Sequence, residues 1–91
     1  MKITEGYLLK EIADCYVLIP VGQNVVDYKK MIHLNESGYF IVKKLQEEIG
    51  YEELLNALVT EYQAEEDEIA ILKSDLDEFL NKLEEKGLLQ K

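Results

Sequence analysis

The strongest constraint on this chain is a change of hydrophobic period at Asn35. From Val25 to Leu34 the residues alternate as a strand does, and beyond Asn35 the apolar residues Phe40, Ile41, Leu45 and Ile49 recur at helical spacing. Asn35 suits the joint, because its side-chain oxygen can accept a bond from a free amide of the first helical turn. The segment 31–45 therefore marks where a sheet stops and a helical half begins.

Upstream, Tyr7–Ile12 reads as a first strand and Ala13-Asp14 as a tight turn. Cys15–Pro20 is β-branched and aromatic, a second strand that Pro20 is expected to end. Gly22-Gln23-Asn24 supplies the next turn, and Val25–Leu34 is the third strand. Its alternation puts Tyr28, Lys30, Ile32 and Leu34 on one face and Lys29, Met31 and His33 on the other. Short connections imply an antiparallel meander with the third strand at an edge.

Downstream, helices are predicted over about 36–48, 51–62 and 66–86, with Gly50 as the stop of the first. Leu54, Leu55, Leu58, Val59 and Tyr62 form the buried stripe of the second. In the third, Ile69, Leu72, Leu76, Phe79, Leu80 and Leu83 recur at three- and four-residue steps. Lys86-Gly87 is a stop signal, after which Leu88 and Leu89 tuck against the body. The expected fold is thus α+β: a three-stranded antiparallel sheet followed by three helices, in a winged helix-turn-helix-like arrangement.

At 91 residues the chain reads as one domain, 1–91. Its formal net charge of −9 argues against nucleic acid as a main partner, because phosphates need Lys and Arg opposite them. The lone Cys15 fits a reducing cytosol and reads as a buried, inert thiol. No apolar run is long enough to cross a bilayer, so a cytoplasmic protein without a membrane partner is expected. Nothing converges for catalysis. His33 stands without a second histidine or a cysteine spaced to share a metal, and the acidic run 65–68 lacks the ligand alternation and turn glycine of a calcium loop. Neither an enzyme nor a cofactor is expected.

What remains is binding surface. An edge strand leaves backbone amides and carbonyls unpaired. Lys29, Lys30 and His33 either blunt that edge with charge or border one kept open for a peptide that adds as another strand. Ile71 falls off the core stripe of the third helix, in line with Asp75, Glu78 and Lys82, where it can help line a groove.

Several pieces of the sequence resemble the PqqD family, the pyrroloquinoline quinone biosynthesis protein D family. They are Leu34-Asn35-Glu36-Ser37-Gly38, Phe40-Ile41, Asp75-Leu76, Phe79-Leu80, Leu83 and Lys86-Gly87-Leu88-Leu89, with Tyr16-Val17-Leu18-Ile19 matching the second strand. The family often carries tryptophan where this chain has Val42. The resemblance implies a non-catalytic chaperone that captures the leader of a ribosomally made precursor peptide. Such domains present the leader to a modifying enzyme, often a radical S-adenosylmethionine enzyme. The leader is expected as an added strand between the third strand and the third helix. There the backbone of Lys29, Lys30, Met31, Ile32 and His33 would pair with it, and Met31, Ile71, Asp75 and Phe79 would take its side chains. Two alternatives stay open on the residues alone: a winged-helix transcriptional regulator, which would want a basic recognition helix, and a self-pairing module forming a homodimer through the same edge.

Overall fold

The computed structural model describes residues 1–22, 25–26 and 31–90, with backbone alone at 22, 25 and 26. A short strand β1 (Lys2–Ile3) opens the chain. A hairpin of β2 (Tyr7–Ile12) and β3 (Cys15–Gly22) turns through Ala13-Asp14, and β4 (Val25–Val26) and β5 (Ile32–Leu34) follow. Then come α1 (Glu36–Lys44), α2 (Tyr51–Glu61), α3 (Glu66–Glu85) and a last strand β6 (Leu89–Gln90). The architecture is α+β, an antiparallel sheet followed by three helices, as the change of period predicts.

β3 is the centre of the sheet. On one side it pairs with β2 without a break, from Tyr7 opposite Pro20 to Ile12 opposite Cys15. The other side is filled by two segments rather than the single strand expected over 25–34. β4 pairs Val26 with Val21, and β5 pairs Ile32 with Leu18 and Leu34 with Tyr16. Pro20 supplies a physical reason. The Val21 amide donates to the Gly6 carbonyl, at 2.7 Å, on the β2 side. Successive residues of a strand hydrogen-bond to opposite sides, so position 20 faces the third strand, where proline has no N–H to give. Proline thus does not end β3, which runs on to Gly22; it falls instead where the ladder on the other side changes register. The expectations for Tyr28, Lys29 and Lys30 lie outside the described residues.

The joint at Asn35 is an N-cap. Its side-chain oxygen accepts from the Gly38 amide at 2.7 Å and from the Ser37 hydroxyl at 3.1 Å. α1 ends at Lys44, short of the expected 48, and Gly50 caps the start of α2 instead of stopping α1. The cause is tertiary. The Leu45 carbonyl accepts from the Ile3 amide, while Met1 binds the Ile49 backbone through both its carbonyl and its ammonium group. These bonds draw 45–49 out of the helix. α3 closes as expected, with Gly87 at φ +72 and the Leu88 amide reaching back to the Leu83 carbonyl at 2.8 Å. Leu89 and Gln90 then pair with β1, a two-stranded ribbon too short to show as a periodic signal.

The core lies between one face of the sheet and the helices. Leu18, Val42, Leu45, Leu54, Leu76 and Leu88 are fully buried in it, each such side chain contributing about 1.5–3 kcal/mol over an exposed one. Two residues depart from expectation. Cys15 is exposed, since it sits at the hairpin end of β3. Tyr62 is 41% exposed, not buried, because it follows the last turn of α2 and lies edge-on to Phe40.

Candidate functional site

Among the described residues β5 is an edge, paired to β3 and to nothing else. Its pairing geometry says what the edge offers. The Leu18–Ile32 and Tyr16–Leu34 pairs point their backbone groups at each other, so the N–H and C=O of His33 between them point outward. The outward margin faces α3. The gap between them is a groove of about 400 Å³, floored by Ile32, Leu34, Phe79 and Leu83 and bordered by His33, Lys82 and Lys86. It continues into a second hollow of about 340 Å³ at the start of α1, where Leu72 and Leu76 line the apolar part and Asp75, Glu78 and Tyr62 the polar part. Asn35, Phe79 and Lys82 line both, so the two hollows form one trough along α3.

The trough is shaped by a glycine. A Cβ on Gly38 would come within 3.0 Å of the Asn35 oxygen and 3.2 Å of the Phe79 ring. Glycine lets the ring settle against the first turn of α1 without displacing a neighbour, whereas a Cβ would make the ring or the cap give by a few tenths of an ångström. Burial pushes the Tyr62 phenol up, with Glu36 and Glu61 adding to the effect, so the hydroxyl stays a neutral hydrogen-bond donor at the trough's far end.

Of the residues singled out in the sequence, Ile32 and His33 supply the strand edge, and Phe79 and Asp75 line the trough. Met31 is half-buried just ahead of β5, and Ile71, 63% exposed, stands one turn beyond Asp75; neither lines these two hollows. Lys29 and Lys30 lie outside the described residues. Lys82, in line with Asp75 and Glu78 in the sequence, lines both hollows, and Lys86, which the sequence offers only as a helix stop, borders the groove four residues further on. For a metal, the described residues gather only Glu65, Asp67 and Glu68, all exposed acids at the N-cap and in the first turn of α3, where acids favour the macrodipole. Among the described residues no helix is long and apolar enough to cross a membrane.

The model of the family described as "Coenzyme PQQ synthesis protein D (PqqD)" matches residues 15–89. The chain belongs to the PqqD family. The match takes in β3, the Asn35 joint, all three helices and the Gly87 stop, and so covers every element that borders the trough. No curated protein matches the chain. Among solved structures, this PqqD-family chain is similar to TbiB1 in complex with the TbiA(beta) leader peptide. The TM-score is 0.73 at 28% identity, over 99% of this chain and 95% of that one.

Proposed function

We propose that residues 1–91 act as a single, non-catalytic recognition domain that captures the leader of a ribosomally made precursor peptide. The leader adds as a strand to β5 and lies in the trough against α3. The observation that carries this is the outward-facing backbone of His33 beside an apolar trough, in a chain similar to a protein solved with a leader peptide on it. Main-chain bonds to Met31 and His33 give affinity with little demand on sequence, while alternate guest side chains reach Phe79, Leu83 and Asp75 and give selectivity. Addition antiparallel to β5 continues the pattern of the sheet. Holding the leader raises the local concentration of the attached core peptide at a modifying enzyme, as any tether does. By family resemblance that enzyme is a radical S-adenosylmethionine enzyme, and the lone Cys15 fits a cytoplasmic setting.

The test is titration of isotope-labelled protein with the leader of a precursor peptide encoded beside it. Amide shifts at 32–34 and along the Phe79–Lys86 side of α3 are expected. Shifts confined to the outer surfaces of α1 and α2 would reject the site. Sedimentation with and without the leader separates peptide capture from self-pairing through the same edge.

A further inference from the structure

The rim of the trough is ordered by charge. Asp75, Glu78, Lys82 and Lys86 follow one another at three- and four-residue steps, so they share one face of α3, two acids and then two bases. All four are exposed and all line the trough. Glu78 and Lys82 approach to 3.6 Å, but both are more than 60% exposed, so water screens the pair and leaves each free to meet a guest. The helix macrodipole accounts for bases near the C-terminus. It fades within a turn, so it does not account for acids two turns and more inside α3. The charge order runs along the trough.

We propose that this order selects leaders with a basic side chain followed, about four residues later, by an acidic one. The inference rests on strand addition at β5. The midpoints of the two charge pairs lie about 11 Å apart at the helical rise per residue. An extended chain covers that in three to four residues, and groove-facing side chains of a strand recur at even steps, so about four fits. The direction follows from β5, whose C-terminal end runs into Asn35, toward the acidic hollow. A guest antiparallel to β5 therefore has its N-terminal part beside Asp75 and Glu78 and its C-terminal part beside Lys82 and Lys86. Reversed charges would meet like charges at both ends, which costs affinity and so rejects wrong partners.

The experiment selects a displayed library of random twelve-residue peptides on the purified full chain. Enriched peptides are expected to carry Lys or Arg about four residues ahead of Asp or Glu. Exchanging those two charges in one selected peptide should weaken binding roughly tenfold, and the difference should shrink at about 0.5 M salt. The double variant Lys82→Glu, Lys86→Glu, altered only at exposed positions, should lose the demand for the acid and accept a base there. If selected peptides shift the amides at 32–34 yet tolerate the exchange, charge order is overturned and strand addition stands. If enriched peptides leave those amides unmoved, or nothing is enriched, both are overturned.

Discussion

The two long faces of α3 use the same helical repeat for opposite ends. Leu76, Leu80 and Leu83 point inward and are buried against the sheet and α2. Asp75, Glu78, Lys82 and Lys86 run along the outer border of the trough and are exposed. Phe79 stands between the two, half-buried, with one side on Gly38 and the other open to the trough. The inner face holds the fold together, and the outer face borders the trough. A change at Leu80, which lines neither hollow, should therefore move stability and leave the affinity of the folded fraction alone, while changes at the exposed border should do the reverse.

The largest effect is expected on the inner face. Leu80→Ala removes a buried side chain that lines neither hollow of the trough and should cost about 2–5 kcal/mol in a urea titration. Peptide affinity, corrected for the folded fraction, should be unchanged; a matching loss of affinity would erase the division between the faces. Next comes the strand edge. His33→Pro removes an N–H that faces away from β3 and has no acceptor among the described residues. Leader binding should fall by about tenfold or more, with stability within about 1 kcal/mol of the parent. Unchanged binding would mean the guest does not pair there.

Gly38→Ala tests the residue on which both faces lean. Alanine is worth up to about 1 kcal/mol within a helix, but here its Cβ presses on the Asn35 cap and the Phe79 ring. A net loss of about 1 kcal/mol is expected, with weaker leader binding and altered amide shifts around Phe79. A gain in stability with unaltered binding would show that the ring is not held by that contact.

The smallest effect belongs to neither face. The Tyr51 hydroxyl donates to Asp77, and that bond, with burial adding to it, pushes the phenol up from 10.0 to about 12. The folded value is raised, so the stabilisation is fully present below pH 10 and is lost as pH rises through about 12. Being near the surface, it should be worth under about 1 kcal/mol. Tyr51→Phe should remove the latest phase of the alkaline tyrosinate titration and leave leader binding unaltered.

Much of the fold was legible because its signals are local. The hairpin at Ala13-Asp14, the Asn35 cap, the start of α3 and the Gly87 stop each rest on residues within a turn of one another. The misses share one cause, which is pairing with a distant part of the chain. α1 is shorter than its apolar pattern because the β1 segment takes the backbone groups of 45–49, and β6 exists only because β1 lies beside it. Pro20 looked like a strand end, but it only withholds a donor on one side while β2 holds the other. For the candidate site, the period of the third helix was enough to draw attention to Asp75 and Phe79. Lys86 reads in the sequence only as a helix stop, and it borders the groove because β5 lies opposite it.

The sequence by itself determined the order of elements, the joint at Asn35, the stripe that α3 buries and the kinship with the PqqD family. Each depends on side chains close along the chain or on a pattern they spell together. Only the tertiary structure decided that the outward amide of His33 faces α3 across a trough, that Gly38 lets Phe79 lie in its floor, and that the rim charges stand in order along it. The reason is that the groove between β5 and α3 joins segments more than forty residues apart, and no local propensity encodes the distance between them.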